Sequence, residues 1–312
     1  MRGTAGWTLA EMPGQTGRTA LVTGANSGVG YETSRALARV GATVIMGGRD
    51  ESRLAEAATA IRAETPGARL EVRRLDLADL DSVRAAAAGV LAEGRPLDLL
   101  FNNAGVMAVP QRRTTRDGFE LTFGTNHLGH FALTGHLLPA LLSAGAARVV
   151  TVSAIASRWP AGGLADVNSE QAYRPMQAYA VSKFANVVFT QELARRAAGT
   201  GLVAVAAHPG VSQTNITREV PRVLAAVNQL LRPFLFQSTD RAALPSLYAA
   251  THPDLGGGEF VGPTGLGEGR GAPGPVRLPR QADDPEVGRR LWELSERLTG
   301  VDYAFPSTRP AA

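Results

Sequence analysis

Short apolar runs alternate along the chain with longer alanine- and leucine-rich stretches of helical period. Seven of the short runs predict β-strands, at residues 19–24, 42–48, 69–76, 97–105, 147–153, 202–210 and 259–263. Most are apolar throughout rather than alternating, which is typical of strands that helices cover on both faces. The pattern therefore predicts an α/β chain with a single-domain Rossmann fold, built on a doubly wound parallel sheet of about seven strands.

Two regions depart from this alternation. Residues 211–237 form a helical insertion after the sixth strand, with the apolar segment VPRVLAAVNQLLRPFLF. This insertion is interpreted as a substrate lid, and an interface or an extra core helix is the alternative. Residues 262–284 are rich in glycine and proline and predict a surface loop before a last amphipathic helix, PEVGRRLWELSERL. The chain, 1–312, thus divides into a core at 18–210, the insertion, and a C-terminal loop and helix at 262–312.

Parallel strands with right-handed crossovers all end at one edge of the sheet, where ligands bind. At that edge the first strand is followed by TGANSGVG, and a helix begins near Gly28. The spacing GxxxGxG allows a tight turn, a close approach of backbone to a pyrophosphate at the helix N-terminus, and close packing of helix on strand. Turn glycines also occur for structural reasons alone, but this placement predicts a dinucleotide site. The predicted contacts are Gly24, Asn26, Ser27, Gly28, Val29 and Gly30.

The tip of the second strand indicates which dinucleotide would bind. An NAD-selective site places a carboxylate there for the ribose 2′-hydroxyl, whereas the 2′-phosphate of NADP requires a cation. Here the strand ends in Gly47-Gly48-Arg49, and a guanidinium can bind a phosphate and stack on adenine. Asp50 and Glu51 are interpreted as the first residues of the next helix. The tip therefore favours NADP(H), unless Arg49 is only a solvated surface residue.

Two further strand ends carry candidate cofactor contacts. Asp76 and Leu77 follow the third strand, and Asp76 can reach the adenine edge or cap the next helix. Asn103, Ala104 and Gly105 end the fourth strand. The asparagine amide can bind backbone or ribose, and Ala-Gly leaves room for a flat ligand, although asparagine is also a common turn residue.

Tyr179 and Lys183 lie in the strongly helical segment QAYAVSKFANVVFTQELARR. Residues four apart share one face of a helix. An ammonium near a phenol lowers the phenol pKa, which is normally about 10. Such a tyrosine can give a proton to a carbonyl oxygen or take one from an alcohol. Alone, this pair is usually a helix-surface pair, but the glycine and asparagine motifs upstream favour a catalytic role.

The composition limits the class of protein. Of the 312 residues, 44% are hydrophobic and 19% are charged, which is ordinary for a globular protein. The net charge is +4, and positive and negative side chains are interspersed along the chain, so we expect no nucleic-acid partner. The absence of cysteine excludes disulfides and thiol chemistry. No run suits a membrane span or a signal peptide, so we expect a cytoplasmic protein without a membrane anchor.

The motifs together resemble the short-chain dehydrogenase/reductase family over nearly the whole chain. They are, in order, TGANSGVG, LDLAD, NNAG, TNHLGHF, VVTVS, YAVSK and HPG. The phrases TNHLGHFALT, SKFANVVFTQELARR and ALPSLYAAT are similar to the retinol-dehydrogenase-like branch, which includes bacterial ketoreductases acting on bulky carbonyl compounds. The resemblance implies NADP(H) as cofactor, a small-molecule carbonyl or alcohol as substrate, and a homo-oligomer as the common assembly of the family.

The resemblance also implies roles for individual residues. Tyr179 would be the general acid/base, Lys183 would hold the ribose, and Asn126 would organise a water-linked proton relay to Lys183. His127 and His130 have helical spacing, but no carboxylate or cysteine completes a metal set, so we expect packing histidines and no metal. The nicotinamide end would be lined by Val152, Pro209, Gly210, Val211 and Thr214.

The serine that the family uses at the end of its fifth strand is replaced in this chain. The family's Ser-Ser or Gly-Ser places a hydroxyl on the reacting oxygen, and 25 positions before Tyr179 that residue is Ala154. Ser153 is adjacent, but neighbouring strand side chains point to opposite faces. Ser157 could fold back from the loop. Loss of one such donor commonly lowers the rate by roughly 10²–10³, so we expect a weakened but active enzyme.

Three functions remain open from the sequence. The first is an NADPH-dependent carbonyl reductase or alcohol dehydrogenase in which Ser157 or a substrate hydroxyl replaces the missing serine. The second is a non-redox isomerase or cyclase that uses Tyr179 for acid/base chemistry. The third is an NADP(H)- or partner-binding protein without catalysis. The intact set of Asn126, Tyr179 and Lys183 argues against it, because a binding protein does not need that combination.

Overall fold

The computed structural model describes residues 6–160, 163–210 and 237–306. The predicted insertion lies outside these residues apart from Gln237, and so do the two predicted nicotinamide contacts Val211 and Thr214. The predicted N-terminal core and the C-terminal region are described almost throughout.

Among the described residues, a sheet of eight strands forms the centre of the fold, in the order β3-β2-β1-β4-β5-β6-β7-β8. Strands β1 to β7 pair in parallel and β8 pairs antiparallel with β7. This arrangement confirms the predicted single-domain Rossmann fold. The strands are Thr19–Thr23 (β1), Thr43–Gly48 (β2), Arg69–Arg74 (β3), Leu99–Asn102 (β4), Arg148–Val152 (β5), Val203–Ala207 (β6), Phe260–Pro263 (β7) and Pro273–Pro275 (β8).

Helices cover both faces of the sheet, because successive strand residues point to opposite sides. In β1, Leu21 packs on one face, whereas Ala20 and Val22 pack on the other. The face of Leu21 is covered by α3, α5, α6 and α8, and the opposite face by α1, α2 and α7. The helices are Gly28–Arg39 (α1), Glu51–Glu64 (α2), Leu80–Ala92 (α3), Leu121–Phe123 (α4), Gly129–Ser143 (α5), Pro175–Arg196 (α6), Thr239–Thr251 (α7) and Pro285–Thr299 (α8).

The predicted surface loop at 262–284 is wrong in part. It contains a short 3₁₀ turn, Leu266–Glu268, and then β8, whose register pairs Pro263 with Pro273 and Val261 with Pro275. Proline has no N–H to donate, so a strand with two prolines is stable only at the edge of a sheet. Composition therefore predicted a loop where the edge position permits a strand.

The last helix, α8, is the amphipathic helix that the sequence predicted. Asp284 caps its N-terminus by accepting from Glu286 N at 2.8 Å, and Gly300 ends it in the left-handed conformation with φ of 67°. Trp292 is buried against α6, and the guanidinium of Arg196 lies 4.5 Å from its ring centroid. This helix therefore supports the back of α6, which carries the candidate catalytic residues.

No helix within the described residues has both the length and the apolar character required to cross a membrane.

Candidate active site

The predicted dinucleotide turn lies between β1 and α1 and has little room for side chains. Gly24 and Gly28 have φ of 69° and 58°, a conformation that favours glycine. A Cβ on Gly30 would lie 2.6 Å from Asn103 Nδ2, so only glycine allows this close packing. Ser27 precedes α1 without capping it through its side chain, which leaves first-turn N–H groups free for an anion. The turn therefore fits a pyrophosphate.

The amide of Asn103 binds backbone, which is one of the two contacts that the sequence analysis predicted for it. Its Nδ2 donates to Thr23 O at 2.7 Å, and the backbone N–H groups of Asn103 and Ala104 both donate to Thr23 Oγ1 at 2.9 Å. These bonds hold the ends of β1 and β4 together beneath the glycine turn. The role of Thr23 was not predicted, and a hydroxyl at the end of the first strand was its only signal.

Arg49 follows the end of β2 and is exposed, with no ion pair among the described residues. Asp50 is the N-cap of α2 and accepts from Arg53 N at 3.1 Å, which confirms its interpretation as a helix-start residue. Arg74, at the end of β3, is exposed and pairs in register with Gly48. Two guanidiniums thus stand at adjacent strand tips, and the second was missed by the sequence analysis.

Asp76 does not cap the following helix. Its Oδ1 accepts from Ala78 N at 3.0 Å, and the N-cap of α3 is Asp79, which accepts from the backbone of Asp81 and Ser82. Leu77 is buried. The carboxylate of Asp76 therefore shapes the turn after β3, where the sequence analysis placed the adenine edge.

Tyr179 and Lys183 lie one turn apart on α6, with Lys183 Nζ 5.9 Å from the centroid of the phenol ring. Lys183 is buried, and its Nζ donates to Val152 O at the end of β5 at 2.9 Å. Burial away from solvent raises the pKa of Tyr179 to about 12 and lowers the pKa of Lys183 to about 8. In the described structure burial therefore outweighs the predicted lowering of the phenol pKa by the ammonium.

Asn126 lies in a π-helical turn, Gly124–Leu128, between α4 and α5. Such turns are uncommon and often mark functional sites. The side chain accepts from Val106 N at 2.7 Å and donates to Val106 O at 2.9 Å and to Ser182 Oγ at 3.0 Å. A Cβ on Gly105 would lie 3.0 Å from Asn126 Oδ1 and 3.4 Å from Lys183 Nζ. The structure thus brings Asn126, Gly105 and Lys183 together.

The hydroxyls around Ala154 point away from it or are buried. Ser153 Oγ donates to Lys183 O at 2.7 Å, in line with the predicted alternation of strand side chains. Ala154 is partly exposed in extended backbone just after β5. Ser157 lies in the 3₁₀ turn Ile155–Arg158, and its Oγ is buried without a hydrogen-bond partner among the described residues. That Ala154 replaces the family's serine stays a prediction from the resemblance.

His127 and His130 pack inside the domain. His127 Nε2 lies 2.9 Å from Ser295 Oγ on α8, and His130 Nε2 lies 2.9 Å from Thr23 Oγ1. Burial lowers the pKa of both rings to about 3, so both are neutral at physiological pH. Within the described ranges, no group of three or more metal-ligating side chains comes together.

The segment His208-Pro209-Gly210 follows β6 at the predicted nicotinamide end. Gly210 N donates to His208 Nδ1 at 3.2 Å, and His208 Nε2 lies 3.0 Å from Glu268 Oε2. Glu268 also accepts from Arg158 Nη2, at 2.7 and 2.8 Å. The sequence analysis quoted His208 within the motif HPG without giving it a role, and it missed Glu268 and Arg158, since partners 60 and 110 positions apart leave no local pattern.

Comparison with known proteins places the chain in one family. The family profile described as short chain dehydrogenase matches residues 18–224. Retinol dehydrogenase 14 of Mus musculus is 41% identical over 300 residues, which cover 91% of this chain and 86% of that protein. A solved structure from Mycobacterium paratuberculosis is 46% identical with a TM-score of 0.79, covering 96% of this chain and 100% of that one.

A second solved structure, described as an NAD(P)-dependent gluconate 5-dehydrogenase from Beutenbergia cavernae, contains NADP at low occupancy. It is 29% identical with a TM-score of 0.60, covering 76% of this chain and 91% of that one. These similarities agree with the sheet order, the glycine turn and the Tyr179–Lys183 pair described above. The chain belongs to the short-chain dehydrogenase/reductase family, in its retinol-dehydrogenase-like branch, and is an oxidoreductase of that family that uses a nicotinamide cofactor.

Proposed function

We propose that the protein is an NADPH-dependent carbonyl reductase, or alcohol dehydrogenase in reverse, with Tyr179 as general acid/base. The observation that carries this proposal is the convergence of Asn126, Tyr179 and Lys183 at the carboxyl edge of the sheet. Lys183 is held there by Val152 O, and Asn126 is held by Val106. A pure binding protein would have no need to bury an ammonium beside a phenol.

The cofactor would occupy the edge from the glycine turn to the end of β6. The turn at Gly24 and Gly30 would hold the pyrophosphate, and Arg49, with Arg74 beside it, would bind the 2′-phosphate. When bound, the nicotinamide supplies the hydride for reduction or accepts it in the reverse direction. The NADP found in the structural neighbour from Beutenbergia cavernae supports this choice.

The protonation states favour proton donation by Tyr179. With a pKa raised to about 12, the phenol keeps its proton at physiological pH and can donate to a carbonyl oxygen. Lys183 has a pKa of about 8, so its ammonium is mostly charged below pH 8. The charge stabilises the phenolate that forms when Tyr179 gives up its proton. The ammonium therefore acts on the product of proton transfer rather than on the resting phenol.

The alanine at position 154 defines what kind of substrate suits this site. The reacting oxygen lacks one hydrogen bond from the chain, so a substrate with its own neighbouring hydroxyl, or a reoriented Ser157, would supply it. The retinol dehydrogenase relatives support a bulky substrate.

We place the enzyme in the cytoplasm, acting on a small molecule.

The test is turnover of a panel of bulky ketones and aldehydes, followed by nicotinamide absorbance. NADPH oxidation matched by alcohol formation is the expected result. Tyr179→Phe should lower turnover by about 10² or more while NADPH affinity stays nearly constant. Tyr248→Phe, on α7, is the matched control because that tyrosine lies on the opposite face of the sheet. Near-normal turnover by Tyr179→Phe would refute the proposal, and isomerised product without nicotinamide oxidation would favour the non-redox alternative.

A further inference from the structure

Glu268 connects three separate segments at the carboxyl edge of the sheet. It lies in the turn between β7 and β8 and accepts from Arg158, in the turn that follows Ala154. Its second partner is His208, at the end of β6. The side chain of Arg158 also donates to Arg277 O at 2.8 Å, beyond β8. One carboxylate thus joins the segments that flank the predicted nicotinamide end.

The hydrogen bonds around His208 define its tautomer. Gly210 N donates to Nδ1, so Nδ1 is the acceptor and Nε2 carries the proton that is donated to Glu268. Burial lowers the pKa of His208 to about 4, so the ring is neutral at physiological pH. Only this neutral tautomer can hold the Gly210 amide and satisfy Glu268 at once.

The His208 ring has no room to turn. A Cβ on Gly262 would lie 2.6 Å from its Cδ2, and the ring centroid of Phe260 is 5.1 Å away. Gly210 has φ of 70°, and a Cβ there would lie 2.8 Å from Gln237 Nε2. The backbone after β6 is therefore fixed by contacts on both sides of the imidazole.

Glu268 itself is held in an unfavourable backbone conformation. Its φ is 55°, a region that residues other than glycine rarely adopt. Such strain persists only where the surroundings impose it, and it is common at functional sites. In this conformation the carboxylate reaches both Arg158 and His208. A glycine or asparagine would suit the turn better, so the glutamate is explained by its carboxylate rather than by the path of the chain.

We propose that Glu268 is a positioning residue for the nicotinamide half of the cofactor site. This role rests on the NADP(H)-dependent function proposed above. Its carboxylate orients His208, and His208 holds the Pro209–Gly210 backbone against which the nicotinamide ring would bind. Through Arg158 the same carboxylate fixes the turn after Ala154. The adenosine half of the site would lie at β1 and β2, and in the sheet β4 separates these strands from the network, which begins at the turn after β5.

The test compares two ligands by calorimetry: NADPH, and 2′-phospho-ADP-ribose, which has the adenosine half but no nicotinamide. In Glu268→Ala we expect about tenfold weaker NADPH binding, since a charge-assisted hydrogen bond is lost, and affinity for the fragment within about twofold of wild type. Glu268→Gln keeps the side-chain shape without the charge and should weaken NADPH about threefold. Glu293→Gln is the control, because that glutamate pairs with Arg289 on the exposed face of α8.

Equal weakening of both ligands would overturn the proposal, since it would indicate a general structural role, and so would unchanged NADPH affinity. If Glu268→Ala does not fold, as judged by circular dichroism, Glu268→Gln carries the same comparison. Wild-type protein that binds neither NADPH nor the fragment would instead refute the NADP(H)-dependent function, before any variant is compared.

Discussion

Restoring a hydroxyl at position 154 tests how this site stabilises the reacting oxygen. Ala154 has φ of −155° and ψ of 164°, an extended backbone that serine adopts without strain. The side chain is partly exposed, so one added oxygen does not overpack the core. Ala154→Ser should therefore fold normally and place a hydrogen-bond donor at the position that the family uses.

The magnitude follows from what surrounds the new hydroxyl. An optimised donor to a developing oxyanion contributes roughly 10²–10³ in kcat. Here the neighbouring Ser153 already donates to Lys183 O, so its hydroxyl does not help to orient a hydroxyl at position 154. We therefore expect a gain of about tenfold, or ~1.4 kcal/mol, on simple ketones. NADPH affinity should not change, because the stabilised charge develops only in the transition state.

The assay is steady-state reduction of simple ketones that carry no second hydroxyl, with Ser157→Ala as the companion variant. Ser157 Oγ is buried without a partner among the described residues, so its removal should leave stability unchanged or raise it by about 1 kcal/mol. If Ser157 is the substitute donor, Ser157→Ala lowers kcat and adding Ala154→Ser restores it. A fall in kcat for every simple ketone in Ala154→Ser would refute the reasoning and favour the isomerase or cyclase.

Three further predictions concern the cofactor, the lysine and pH. Arg49→Ala should weaken NADPH binding at least about tenfold and leave NADH binding nearly unchanged, and Arg74→Ala should weaken NADPH binding less. Titration with each cofactor measures these affinities, and an equal loss of affinity for NADPH and NADH would contradict the prediction. Lys183→Ala should lower kcat and weaken NADPH together, measured by turnover and calorimetry, and a loss of kcat alone would remove its ribose role. Folding lowers the pKa values of His127 and His130 from 6.5 to about 3, so between these two pH values the unfolded chain binds more protons than the folded chain. Unfolding free energy from urea titration should therefore fall as pH drops from 6.5, by up to about 1.4 kcal/mol per unit for each histidine, and His127→Gln with His130→Gln should flatten the slope.

The sequence allowed the fold and the main site residues to be predicted because both follow local patterns. The glycine turn lies between β1 and α1, and Tyr179 and Lys183 lie on one helix, as their spacings indicated. The network of Glu268 escaped prediction because its partners come from distant segments and meet only when the sheet forms. The sequence analysis considered only Asp76 as a possible cap of α3, whereas Asp79 is the cap, because both aspartates suit a helix start and only the turn geometry decides between them.

The two outer strands of the described sheet have a consequence for self-association. An exposed strand edge can recruit a strand from another molecule, which is a common first step of aggregation. At one edge, Pro273 and Pro275 leave β8 without the N–H groups that an incoming strand would need. At the other, β3 has the sequence RLEVRR and presents arginine side chains along its length. The enzyme can thus keep a wide, largely apolar sheet in a crowded solution without offering its edges as templates for fibril growth.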